Sequence, residues 1–194
     1  MTVKIFFDMD GVLVNFSAGV ADALNAAIAS GDTSHRKLRR LIEYDGPERT
    51  EITVPFLEAL VTKKDLKQER NQWEKRVGQA LFHIVGTGGH EYWSSLAPNP
   101  GYLQMLEVAN GLVGLNNLYV CTAPVQDKTG GCESGKRAWV NDNTIVPANQ
   151  VFVTENKGSI AAQFPEDTCI LIDDRIKYCS MWEESGGIAI RHAP

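Results

Sequence analysis

The stretch Val3-Lys4-Ile5-Phe6-Phe7-Asp8-Met9-Asp10-Gly11-Val12 decides how the rest of the chain is read. Val3 to Phe7 is a short apolar run rich in β-formers, and it stops at two acids and a glycine. That pattern predicts a buried strand followed by a polar loop. Two later stretches repeat it: Gly114 to Cys121 reads as a loop and a strand ending at Thr122, and Cys169 to Ile172 as a strand ending at Asp173-Asp174. In open α/β sheets ligands bind outside the carboxyl ends of the strands, so one pocket can collect all three.

Outward from the first strand, Ser17 to about Leu41 is alanine-rich with apolar residues at helical spacing, broken at Ser30-Gly31-Asp32, and a second helix is predicted from Ser34. Asp45-Gly46-Pro47 signals a turn, and amphipathic stretches follow over Val54 to Val61 and Lys64 to Val85. Gly86-Thr87-Gly88-Gly89 and Pro98-Asn99-Pro100-Gly101 punctuate the return to a strand-and-helix rhythm. That rhythm continues with helices over Leu103 to Ala109, from Lys136 and over Ser159 to Phe164, and with strands at Gln150 to Thr154 and Ile188 to Arg191. The predicted fold is α/β, a Rossmann-like parallel sheet with helices on both faces and an inserted helical cap. Residues 1–16 and 99–194 form the core of this reading and 17–98 the cap.

Composition narrows the class. With 194 residues the chain can bury one substantial core plus a subdomain, and 43% hydrophobic with 22% charged residues is ordinary for a globular protein in water. No run is long enough to span a bilayer, and Met1 to Phe7 leads straight into the acidic motif with no separate signal-peptide cleavage site, so a cytoplasmic setting is expected. Cys121, Cys132, Cys169 and Cys179 lack Cys-x-x-Cys spacing and read as reduced, packed thiols. The net charge of −5 gives no basic field for a nucleic-acid backbone, and the cluster His35 to Arg40 reads as a solvated helix face. Oligomeric state stays open, a homodimer being one outcome.

Phosphoryl transfer from a monoester needs a nucleophile, a proton donor for the leaving oxygen and positive charge to offset the dianion. Asp8 can attack and Asp10 can shuttle the proton, while Gly11 lets the backbone turn both into one cavity. Carboxylates crowded beside a phosphate repel it unless a divalent cation lies between them. Magnesium, which prefers hard oxygen ligands and keeps several waters, suits Asp8, a backbone carbonyl and one acid of the Asp173-Asp174 pair, so the metal-site candidates are Asp8, Asp10, Asp173 and Asp174. The competing reading of Asp-x-Asp-Gly alone is an ordinary turn, but the second acidic pair is poor for stability without a cation or donors nearby.

The segments Phe7-Asp8-Met9-Asp10-Gly11-Val12-Leu13, Val120-Cys121-Thr122-Ala123-Pro124, Lys136-Arg137-Ala138-Trp139-Val140 and Leu171-Ile172-Asp173-Asp174-Arg175 resemble the haloacid dehalogenase superfamily. Within it they are similar to the 5'(3')-deoxyribonucleotidase family, over nearly the whole chain. The resemblance implies an aspartyl-phosphate on Asp8 and a general acid, then base, at Asp10. It implies phosphate contacts from Thr122, Ala123, Lys136 and Lys157, and a magnesium site that includes the Asp173-Asp174 pair. Serine usually stands where Ala123 does, and aspartate where Asn15 does. An aromatic at the position of Phe16 lines the nucleoside pocket in that family.

Specificity is sought in the cap, where Tyr44, Phe56, Trp73, Tyr92 and Trp93 can offer stacking surface, with Phe16, Tyr44 and Trp73 the pocket candidates. Trp93 and Trp139 read as packing residues. The implied substrate is a small nucleotide, preferably a 5'-deoxynucleoside monophosphate. A polynucleotide phosphate end or a small phosphorylated metabolite is the alternative, as is a binding protein without catalysis.

Overall fold

Period-two alternation along the first strand divides the core in two: Ile5 and Phe7 enter one apolar cluster, while Phe6 between them enters another. The computed structural model describes residues 1–31, 50–65, 79–125 and 130–192, with backbone alone for 60–65 and 79–82. Its strands β1 (Val3–Phe7), β2 (Leu118–Thr122), β3 (Val151–Val153), β4 (Thr168–Asp173) and β5 (Ile188–Arg191) make one sheet in the order β3-β2-β1-β4-β5. All four pairings are parallel, with Phe7 level with Val120 on one side and Ile172 on the other. The order reverses beside β1, which opens a crevice at the carboxyl ends of β1 and β4.

Between β1 and β2 lie α1 (Phe16–Ala29), α2 (Val54–Asp65), α3 (Gln79–Thr87), α4 (Gly89–Ser94) and α5 (Tyr102–Val113). No strand occurs between β1 and β2 among the described residues. Helices α6 (Gly131–Asn143), α7 (Gly158–Ala161) and α8 (Ile176–Glu184) make the remaining crossovers. Helix α1 ends at Ala29, with Ser30 as its C-cap and Gly31 beyond it at φ +72°, as the Ser-Gly-Asp break predicted. The helix from Ser34, the Asp45-Gly46-Pro47 turn, Tyr44 and Trp73 lie outside the described residues. Helix α6 starts five residues before the predicted Lys136, because its glycines serve packing: a Cβ on Gly135 would stand 2.6 Å from the Trp93 Cβ of α4, so only glycine admits this approach.

On the Phe6 face, Phe6 stacks on Tyr119 with centroids 4.6 Å apart and meets Trp182 edge-on at 4.9 Å, under α7 and α8. Such pairs add about 0.5–1.5 kcal/mol each beyond area burial. On the other face α5 and α6 cover β1, β2 and β3 through Leu106, Ala109, Trp139 and Val140. Cover is incomplete there: a groove of about 500 Å³ runs between α5 and β4–β5, lined by Phe7, Val108, Leu112, Ile172 and Ile190 among others. Among the described residues no helix is long and apolar enough to cross a membrane. All four cysteines are buried free thiols, as expected.

Candidate active site

The loop after β1 is wound tightly by its own backbone. Asp8 N–H donates to Ile172 O at 2.8 Å, carrying the β1–β4 ladder one step further, and Leu13 and Val14 N–H both donate to Met9 O at 2.9 and 3.0 Å. Gly11 sits at φ +78°, and a Cβ there would lie 2.8 Å from Asp174 Oδ2, so both its backbone angle and its neighbour demand glycine. Asn99 fixes the loop from outside, its side-chain amide donating to Val12 O at 3.0 Å and Val14 O at 3.1 Å. Asn15 caps α1 by accepting from Ala18 N at 3.0 Å, a task for which a neutral amide suffices.

Two buried lysines organise the acids. Lys157 Nζ stands 2.8 Å from Asp8 Oδ1 and 2.6 Å from Asp173 Oδ2, with its ammonium 4.6 Å from the Tyr178 ring centroid. Lys136 Nζ pairs with Asp10 Oδ2, donates to Thr122 Oγ1 at 3.1 Å and Ala123 O at 2.8 Å, and lies 4.6 Å from the Trp93 ring centroid. Both lysines are fully buried, which excludes the ordinary reading of a lysine as a surface charge. Burial alone would lower the Lys157 pKa, but the carboxylates of Asp8 and Asp173 outweigh it and hold the group firmly protonated. Burial raises the Asp10 carboxyl against the opposing charge of Lys136, and burial with the charge of Asp8 raises Asp173. Burial, then the charges of Asp8 and Asp173, pushes Asp174 up to about 8.

Asp8, Asp173 and Asp174 each bring a carboxylate oxygen to within 4.8 Å of the other two. Asp8 Oδ1 and Asp174 Oδ1 are buried and accept no hydrogen bond among the described residues; the Lys157 ammonium beside Asp8 is close but not directed along a hydrogen bond. Asp173 is more fully used, since its other oxygen accepts from Arg175 N at 2.9 Å. Hard oxygens left unsatisfied in a cluster are the donor set a magnesium-class ion takes. Asp10 is not one of these three; its Oδ2 pairs with Lys136, and its Oδ1 accepts no hydrogen bond among the described residues.

The fold therefore gathers Asp8, Asp10, Thr122, Ala123, Lys136, Lys157, Asp173 and Asp174 from the carboxyl ends of β1, β2 and β4, the segments that follow β1, β2 and β3, and helix α6, which carries Lys136. Phe16 opens α1 beside them, its ring nearly parallel to that of Trp93 with centroids 6.0 Å apart. Trp93 is fully buried, as a packing residue should be, yet its face against Lys136 also makes it a wall of the site. Sequence reasoning missed that contact, the Tyr178 platform and the Asn99 clamp. Only the Asn-Pro-Gly turn signal pointed anywhere near Asn99.

No family model matches the sequence, and no curated protein matches it. Solved structures do match in fold. A protein assigned as a HAD-hydrolase, YfnB of Bacillus subtilis bound to magnesium, aligns with TM-score 0.57 at 13% identity, over 97% of this chain and 85% of that one. A protein of Lactobacillus delbrueckii assigned as a phosphoglycolate phosphatase aligns with TM-score 0.53 at 14% identity, over 97% and 84%. A protein of Burkholderia xenovorans assigned as a haloacid dehalogenase-like hydrolase gives 0.50 at 14%, over 94% and 79%. The fold is that of the haloacid dehalogenase-like hydrolases.

Proposed function

We propose that the chain is a magnesium-dependent phosphatase of nucleoside monophosphates, 5'-deoxynucleotides above all, acting through an aspartyl-phosphate on Asp8. The observation that carries the reading is the meeting of Asp8 with the distant Asp173-Asp174 pair around unsatisfied carboxylate oxygens, with two buried lysines alongside. In this reading Asp8 and Asp174 hold the ion, which when bound offsets charge between carboxylate and phosphate. Asp173 instead anchors Lys157.

An Asp8 carboxylate oxygen attacks phosphorus, the ester P–O bond breaks, and Asp10 gives its proton to the departing alkoxide oxygen. Water then attacks the aspartyl-phosphate, Asp10 takes its proton, and phosphate leaves with Asp8 restored. Lys136 holds Asp10 in place and, with Thr122 and the Ala123 backbone, faces a phosphate oxygen, while Lys157 balances charge at Asp8. Residues 17–98 serve as the cap that closes over the leaving group, with Phe16, Tyr44 and Trp73 as pocket candidates. A cytoplasmic setting belongs to the same reading, and the four free thiols accord with it.

A second substrate class, a small phosphorylated metabolite, draws support from the fold shared with the phosphoglycolate phosphatase-assigned protein. Phosphate release from deoxy- and ribonucleoside monophosphates, sugar phosphates and phosphoglycolate, with magnesium or with EDTA, separates the two. The nucleotidase reading expects deoxynucleotides to lead, EDTA to abolish release and Asp8→Asn to be inactive. An active Asp8→Asn protein removes the nucleophile.

A further inference from the structure

Lys157 is fully buried, so its ammonium must find partners for three N–H groups inside the protein. One donates to Asp173 Oδ2 at 2.6 Å. Asp8 Oδ1 lies 2.8 Å away but accepts no hydrogen bond. What remains against the ammonium among the described residues is the Tyr178 ring, its centroid 4.6 Å from Nζ. The face of an aromatic ring attracts a cation through its quadrupole, most strongly where water is excluded.

We propose that Tyr178 is a positioning residue: its ring and Asp173 together hold the Lys157 ammonium and leave its remaining N–H beside Asp8, open to an oxygen of the incoming phosphate. The inference rests on the phosphatase reading and deepens it. A neutral ring suits the task better than a second strong acceptor. A carboxylate in its place would add negative charge to a site that must admit a phosphate dianion, whereas the ring holds the cation and adds none.

Local structure makes the ring and Asp173 a single holder. Both stand at the junction of β4 and α8, where Arg175 N–H donates to Asp173 Oδ1 at 2.9 Å and Tyr178 and Cys179 N–H donate to Arg175 O at 3.0 and 3.1 Å. The lysine is pressed onto the same helix. A Cβ on Gly158 would lie 2.4 Å from Ser185 Oγ and 2.7 Å from Met181 O, so glycine lets the backbone next to Lys157 approach α8. Lys177 Nζ and the Arg175 guanidinium lie 5.0 and 5.8 Å from the same ring centroid, but both residues are exposed, where water competes and a ring attracts less.

The test keeps the shape of the ring and drains its face. In the full chain with magnesium, position 178 carries phenylalanine and then phenylalanine with one, two and three ring fluorines. Hydrolysis of p-nitrophenyl phosphate and of the best substrate among the esters above is followed. Fluorine weakens the negative face of the ring with little change of volume, so a packing role leaves the series flat. Relative to Tyr178→Phe, kcat/KM should fall stepwise, to about tenfold lower at three fluorines, for both esters alike. 3-Fluorotyrosine, which keeps the hydroxyl, should repeat the first step relative to the unsubstituted protein. Tm in EDTA should fall along the same series and stay level once Lys157→Met is added. A flat kcat/KM series in an active enzyme overturns this inference alone. A series that moves one ester only puts the ring at the leaving group and overturns it too, as does a decline in Tm that survives Lys157→Met. An unsubstituted protein that hydrolyses none of the phosphate esters removes the phosphatase reading, and this inference with it.

Discussion

Replacing Lys157 with methionine deletes one ammonium and leaves two carboxylates facing each other in the interior. Lys157 is fully buried, its partners Asp8 and Asp173 are nearly so, and the contacts are 2.8 and 2.6 Å. Methionine keeps most of the volume and its contact with Tyr178, so the lost term is electrostatic. Breaking a buried pair by removing one partner costs about 3–5 kcal/mol. For a protein of this length each kcal/mol moves Tm by about 2–4 °C, which puts the variant roughly 6–20 °C below the parent in EDTA. Magnesium should recover part of that loss, and more in the variant than in the parent, because a cation at Asp8 and Asp174 then supplies the missing positive charge. Thermal unfolding followed by circular dichroism in EDTA and in magnesium reads both effects. A Tm in EDTA within about 2 °C of the parent would refute the claim that Lys157 balances buried charge.

Gly11→Ala places a side chain at positive φ and against Asp174, so stability should fall by about 1–2 kcal/mol from the backbone alone, and the magnesium-dependent rise in Tm should shrink with it. Cys121 is buried at the end of β2, and burial is the main reason its thiol is pushed up to about 12. At pH 8 only roughly one molecule in ten thousand carries the reactive thiolate, so iodoacetamide should spare Cys121 in the folded protein and label it in denaturant, as peptide mass spectrometry reads. Inorganic phosphate should raise Tm when magnesium is present and leave it unmoved in EDTA.

Strand positions were legible because each is a short apolar run closed by turn chemistry: β1 and β5 occupy the predicted residues, and β3 and β4 differ from prediction only at their ends. The start of α6 was not legible, because glycine reads as a breaker in sequence while Gly131 and Gly135 serve a helix contact that exists only in three dimensions. The acids of the site were legible for a related reason. Each ends a buried strand or lies within three residues of its end, so local pattern and global position coincide. Lys136 and Lys157 were found through motif resemblance alone, since nothing in their neighbours announces burial. Trp93 shows what period and polarity cannot tell: a tryptophan before the Leu-Ala-Pro return looks like core and is core, and the direction its face takes depends on α6.

Charge explains why these groups occur together. Asp8, Asp10, Asp173 and Asp174 against Lys136 and Lys157 leave a formal charge of −2 when all are ionised, inside a largely water-excluded crevice. A phosphate dianion entering that field meets net repulsion, since each lysine is already committed to a carboxylate. Lysines alone would attract phosphate but leave no nucleophile. Acids alone would hold a cation but repel the ester. With a divalent ion beside Asp8 and Asp174 the site is formally neutral, and the ammonium groups can then be shared between carboxylate and phosphate. For the proposed phosphatase that arithmetic predicts a binding order, cation first and ester second. Phosphate without magnesium therefore has no reason to stabilise the fold.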